Sequence, residues 1–300
     1  MDTKYKLGII FGIASAALWG ISGTFVQYLV QQRHFQFEWL ISTRMILAGL
    51  GLLLISTYKK MDIFSVWRTP KDRLQILIFG LLGLFGVQFT FFAAIGYSNA
   101  ATASVLQFAG PVIIAVYLAL VHKQHPSKTQ YLAIFLACLG VFLLVTHGQF
   151  QQLIISWNAF IFGIASAITM AIYTLYPKSL LAKHNSPTVI GWGMLIGALP
   201  AMFIKPVWQI EGQWDLSAVA SVAFIILFGT LLAFYIYLEA TKNIGGQITS
   251  LLISIEPLTS IILAVVWLNT PYTLFDWLGS LCIISTVFLL TKKKTNHSSR

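Results

Sequence analysis

Apolar residues dominate the chain in long blocks, separated by short clusters of charged residues, prolines and polar side chains. Cutting at those clusters gives spans at 7–30, 37–57, 74–97, 99–121, 130–147, 153–176, 187–204, 217–240, 245–268 and 273–291. Each approaches the ~20 residues that an α-helix needs to cross a hydrocarbon core. The pattern therefore predicts an all-α integral membrane protein of ten transmembrane helices.

The spans are related in two sets of five. Phe11-Gly12-Ile13-Ala14-Ser15-Ala16 recurs letter for letter as Phe162-Gly163-Ile164-Ala165-Ser166-Ala167, an offset of 151. Further on, an offset of 146 lays Pro111 on Pro257, Gly83 on Gly229, Ser104 on Ser250 and Val141–Leu144 on Val287–Leu290. An insertion or deletion of five residues between the first and third helices of one half accounts for the difference. We read a duplicated unit, with a first repeat over 1–147 and a second over 148–300. Five is odd, so the second copy enters the membrane from the other side and the repeats are inverted.

Composition agrees: 57% of the 300 residues are apolar and only 9% charged, against ~25% charged in soluble domains. The net charge of +10 does not point to nucleic acid, because the basic residues stand singly between apolar runs and form no stripe. It is a topology signal. With the N-terminus inside, sixteen of the nineteen Lys and Arg fall at inner positions, Arg33 and Lys205 at outer ones, and Arg44 within the membrane. That bias predicts both termini in the cytoplasm. Cys138 and Cys282 each lie inside an apolar span, and no disulfide is expected. Lys4 and Lys6 precede an apolar run as in a signal peptide, but the run is too long for one and is kept as the first helix.

No connection is long enough for a nucleotide-binding domain, and no Gly-x-x-x-x-Gly-Lys-Ser/Thr loop occurs, so active transport here would draw on a gradient. No Ser/His/Asp or paired-carboxylate arrangement suggests an enzyme, and no cofactor is expected. His122 and His125 sit in a short inner loop without further ligands, so no metal is expected either.

Ionisable groups inside a bilayer cost roughly 2.5–3.5 kcal/mol each on insertion scales, so those that persist are functional candidates. Of the nine acids only Glu256 lies near a helix centre. It is read either as a carboxylate that takes protons or a substrate amine beside the break at Pro257, or as a hydrogen-bonded tie between helices. Arg44, near the centre of the second span, either binds a substrate carboxylate or reaches backbone carbonyls and a neighbouring acid. Ser104, Gln107 and Pro111 share one face of the fourth helix, and Ser250, Ser254 and Pro257 the related face of the ninth. Such faces line either a cavity at the repeat interface or a hydrogen-bonded seam. Gln88 and Trp19 are further cavity candidates.

These residues resemble a known group. Ala17-Leu18-Trp19-Gly20, Thr43-Arg44-Met45-Ile46-Leu47-Ala48, the Ser104–Pro111 segment and Glu256-Pro257 are similar to motifs of the drug/metabolite transporter superfamily, in its ten-helix EamA-domain branch. The resemblance implies a permease of the inner or plasma membrane that exports amino acids or other small metabolites by alternating access. Trp19, Arg44, Pro111 and Pro257 occupy family positions. A glutamate common in relatives after the fourth and ninth helices is replaced here by Lys123-Gln124 and Asn269-Thr270. The expected partners are a small-molecule substrate, protons as a coupling ion, and the lipid bilayer, with no nucleic acid. The alternative is a membrane-embedded accessory or assembly protein without a transport path. A solvated central cavity meeting Ser104, Gln107 and Glu256 separates the two. Oligomeric state is not written in the sequence.

Overall fold

The computed structural model describes residues 3–121, 128–147 and 154–292. Among these, every regular element is helical. Eight helices are long and apolar enough to cross a membrane: α1 (Thr3–Gln32), α2 (Phe37–Tyr58), α3 (Pro70–Tyr97), α4 (Ala100–Val121), α5 (Lys128–Thr146), α6 (Trp157–Lys183), α7 (Ser186–Ile204) and α8 (Leu216–Thr241). Two shorter apolar helices, α9 (Ile255–Val266) and α10 (Leu274–Lys292), complete a ten-helix membrane protein.

The helix starts are written in polar residues. Thr69 Oγ1 accepts from Asp72 N ahead of α3, Asn99 Oδ1 from Thr102 N ahead of α4, Ser156 Oγ from Ala159 N ahead of α6, and Asp215 Oδ1 from Ala218 N ahead of α8. Each supplies an acceptor to a first-turn N–H that the helix itself leaves unpaired.

One boundary differs from expectation. No break in helical structure separates the eighth and ninth spans at 240–245; the helix runs on from Ala233 to Leu252. The path nevertheless reverses. Trp19 packs on Phe234, Gly8 on Ile244 and Gly12 on Leu252, so the chain descends along α1 and then climbs back. The break comes later, ahead of Ile255, because Pro257 has no N–H to continue the hydrogen-bond ladder.

Packing shows the twofold relation directly. Gly12 accommodates Leu252, and its mate Gly163 accommodates Leu106, the mate of Leu252. Gly229 lies against Ser22, and Gly83 against Tyr173, again an exchanged pair. Small residues let these backbones close up. α2 crosses α7 where Gly49 meets Leu195 and Gly191 meets Leu53, which sets the offset there at 142. The five-residue shift is thus split: nine residues are lost between the first and second helices of the second repeat and four gained between its second and third. π-helical turns at Phe79–Phe85 in α3 and Leu227–Leu232 in α8 also correspond.

A chain of hydrogen bonds fixes the inversion. Ala100 N–H, at the start of α4, donates to Gln27 Oε1 near the end of α1 at 2.9 Å, and Gln27 Nε2 donates to Thr270 Oγ1 beyond the end of α9 at 3.0 Å. So α4 begins where its mate α9 finishes, and the repeats are upside down relative to each other. We call the face holding residues 3 and 292 the terminal face, and the one holding Gln27, Ala100 and Thr270 the opposite face.

Candidate functional site

A cavity of about 90 Å³ lies on the dyad at mid-depth, several times the ~10–15 Å³ that one buried water requires. Its walls are mates from the two repeats. Trp19 corresponds to Met170, Ser22 to Tyr173, and Gln88 to Phe234, and all six line it. The shape is nearly symmetric, but the chemistry is not. One repeat supplies Ser22, Arg44, Gln88 and Gln107, and the other supplies Tyr173, Phe234 and Glu256.

The local folding explains how each group arrives. The π-helical turn ending at Phe85 adds a residue to the turn of α3 just before Gln88 and so re-aims the following face, as such turns often do at functional sites. In α4 the helix loosens into a turn at Phe108-Ala109 and restarts at Gly110, with Pro111 in the first turn of the new segment. In the second repeat the break falls at Ile253-Ser254, and Pro257 sits in the first turn of α9 behind Glu256. A proline is well placed there, since a first-turn N–H has no acceptor within the helix.

The polar groups around the cavity are buried and unsatisfied. Arg44 Nε, Ser22 Oγ and both side-chain polar atoms of Gln88 are sealed from solvent without a hydrogen-bond partner. Arg44 is only 6% exposed, and its guanidinium lies 4.7 Å from the centre of the Phe92 ring, a cation–π contact that offsets part of its desolvation. Among the described residues no acid lies within ion-pair distance of Arg44. Glu256, 7% exposed, likewise has no ion-pair or hydrogen-bond partner from its carboxylate among them. A guanidinium and a carboxyl group thus face one cavity without touching. Native interiors rarely leave such groups unpaired, and a bound polar molecule would supply what each lacks.

Of the residues singled out from sequence, Trp19, Arg44, Gln88, Gln107 and Glu256 meet at this cavity. Ser104 does not. Its hydroxyl donates to Ser260 Oγ at 3.1 Å, and Ser260 Oγ donates to Gly20 O at 3.3 Å, a seam joining α1, α4 and α9. Ser254 precedes α9 with its hydroxyl buried and unpartnered, away from the cavity lining. The side chain of Ser250, and residues 122–127 with His122, Lys123, Gln124 and His125, lie outside the described residues. Ser22, Met170, Tyr173 and Phe234 escaped the sequence reading. The repeat offsets would have found two of them, Met170 and Phe234, as the mates of Trp19 and Gln88.

Both mouths of the bundle are tied by loops. On the opposite face, Arg33 pairs with Asp215 at 2.8 Å, Lys205 pairs with Glu211, and Trp39 Nε1 donates to Val207 O, which draws residues 205–215 over α1 and α2. On the terminal face, Lys183 and His184 reach Asp72 at 3.0 and 3.4 Å.

The chain is similar to known transporters over nearly its whole length. It is 39% identical to the uncharacterized inner membrane transporter YicL of Salmonella typhimurium over 95% of both chains. It is 24% identical to the threonine/homoserine exporter RhtA of Escherichia coli, over 82% of this chain and 80% of that one. A crystal structure shares the fold with a TM-score of 0.66 at 17% identity, over 95% of this chain and 98% of that chain. The EamA-like transporter family matches twice, at residues 6–146 and 157–292. This multi-pass membrane protein therefore belongs to the EamA-like transporter family.

Proposed function

We propose that the protein is a secondary active transporter that exports small metabolites such as amino acids by alternating access between its inverted repeats. The observation that carries this reading is the cavity on the dyad, where the Arg44 guanidinium and the Glu256 carboxyl group stand unpartnered among neutral amide and hydroxyl groups. A zwitterion fits that arrangement, with its carboxylate toward Arg44 and its ammonium toward Glu256. The aromatic walls, Trp19, Phe91, Phe92, Tyr173 and Phe234, accept an apolar side chain. The name of the threonine/homoserine exporter among the relatives supports an amino-acid substrate and the outward direction. An accessory protein without a path has no use for a polar cavity of this kind.

In this reading Glu256 also carries the coupling proton, being the acid of the cavity, and protonation leaves the empty site without a bare carboxylate. The terminal face is cytoplasmic. It carries Lys59, Lys60, Arg68, Lys71 and Arg73, whereas the described residues of the opposite face hold two basic side chains, Arg33 and Lys205.

The test is flux in proteoliposomes with a panel of amino acids, with and without an imposed pH gradient. The wild type should accumulate substrate against its gradient when protons flow the other way. Glu256→Gln should lose the gradient-driven component and retain exchange. Undiminished driven flux in that variant removes Glu256 from the coupling step, and no flux of any solute removes the transport reading.

A further inference from the structure

The cavity holds more polar chemistry than the two ends of a zwitterion need. With a substrate carboxylate at Arg44 and an ammonium at Glu256, the Gln88 side chain is left over. It is 6% exposed and lines the cavity, yet neither its Oε1 nor its Nε2 has a hydrogen-bond partner. Native interiors pair nearly all such atoms, because each one buried open costs stability. The scaffold does not require an amide at this place. The mate of Gln88 is Phe234, so the second repeat fills the equivalent position with a ring. Nor does the amide serve Arg44. Arg44 Nε is a buried donor without an acceptor and Gln88 Oε1 a buried acceptor without a donor, on walls of one cavity, and the two are not joined.

Position along α3 says which part of a substrate meets Gln88. Gln88 and Phe92 stand one turn apart on one face of the helix, a Cβ separation of roughly 5–6 Å. The Arg44 guanidinium lies over the Phe92 ring at 4.7 Å from its centre. A carboxylate held at Arg44 is therefore about a turn from the Gln88 amide, a span that the side chain of an α-amino acid bridges. Gln88 offers an acceptor and a donor side by side. A hydroxyl meets only one of them at good geometry, a carboxylate brings acceptors alone, and an aliphatic tip brings neither. A primary carboxamide brings a donor and an acceptor at the same spacing, and closes both in a ring of two hydrogen bonds. We propose that Gln88 selects the substrate by its side chain, and that the substrate class is an α-amino acid ending in a carboxamide, as in asparagine or glutamine. This rests on the transport reading above and narrows it. The aromatic walls flank the aliphatic stem of that side chain, and Gln88 takes its tip.

The experiment is isothermal titration of the purified full chain with single amino acids, alongside flux of the same compounds in proteoliposomes. The panel is asparagine and glutamine, their apolar counterparts leucine and methionine, their charged counterparts aspartate and glutamate, and threonine. One of the carboxamides should bind about 10- to 100-fold more tightly than its apolar and charged counterparts, the worth of two neutral hydrogen bonds. Gln88→Leu should bring the apolar compound level with the carboxamide, and Gln88→Met should do the same. Both variants should unfold at or above the wild-type midpoint, since neither strands a polar group. Amino acids that bind and are carried without a carboxamide preference, or with threonine bound more tightly than either carboxamide, overturn the assignment and leave the transport reading standing. A preference that both Gln88 variants keep overturns the role of Gln88. Absence of binding and of flux across the whole panel overturns the amino-acid transport reading itself.

Discussion

Arg44 shows how far a single residue can be argued. A guanidinium buried without an acid costs stability, and here Phe92 offsets only part of that cost. Removing the charge should therefore act in opposite directions on folding and on binding. Arg44→Gln is expected to keep or raise the thermal unfolding midpoint of the empty protein. The same substitution should weaken binding of a carboxylate substrate by about 10- to 100-fold, the loss of one charge-assisted hydrogen bond worth ~1.5–3 kcal/mol. Scintillation-proximity binding and a thermal-shift assay on one preparation check both halves; a variant that unfolds earlier, with affinity intact, makes Arg44 a structural residue. Sequence alone left this choice open because it gives no distances. It could not say whether Glu256 touches Arg44, and they prove to share a cavity without an ion pair. It also placed Ser104 on the same footing as Gln107, three positions away on the helix. The hydroxyl finds a partner across the seam, and the longer amide reaches the cavity.

At the scale of the elements, the chain ends of α1, α4 and α9 on the opposite face depend on one amide side chain. Gln27 accepts from Ala100 N–H and donates to Thr270 Oγ1, satisfying a first-turn donor that nothing else reaches. Gln27→Leu keeps much of the volume and strands that N–H, at a cost of ~1–3 kcal/mol. We expect a lower unfolding midpoint together with longer distances across the opposite face, read by spin labels at Gln32→Cys and Asn269→Cys. The nearby latch between Arg33 and Asp215 behaves differently with pH. Hydrogen bonds from Ser217 and Ala218, with the Arg33 charge, hold the Asp215 carboxyl below its ordinary range. A depressed acid contributes stability that is complete above the unfolded value of ~3.9 and fades only as pH falls through the lower folded value. Between pH 5 and 8 the latch is constant, so pH effects on flux in that window arise elsewhere. The helix starts rest on the caps Thr69, Asn99, Ser156 and Asp215, and cuts made at charges, prolines and polar clusters place them only to within four residues, at 74, 99, 153 and 217. The helical hydrogen bonding that persists through the reversal after Ile244 was not legible, since the Gly245-Gly246 pair resembles a loop in sequence.

For the whole molecule, the duplication was readable from identical letters and the odd number of spans, but the way the halves fit together was not. The main partners of each repeat belong to the other repeat: α2 packs on α7, α1 on α8, α5 on α10 and α3 on α6. Gly140 and Gly279 illustrate it, each lying against the other's carbonyl where α5 crosses α10. In hydrocarbon such close contacts, rather than solvent exclusion, hold helices together. A repeat by itself therefore offers its small-residue faces to lipid with nothing to fill the grooves. Expressed alone, residues 1–147 should give no monodisperse species on size exclusion in mild detergent and should be cleaved rapidly by protease at all connections. The full chain under the same conditions should run as one peak and resist cleavage between helices. A stable, protease-resistant first half would mean that each repeat folds as its own unit. Alternation would then have to arise from rigid rocking of two bodies, rather than from exchange of contacts between interleaved helices such as α1 with α9 and α4 with α6.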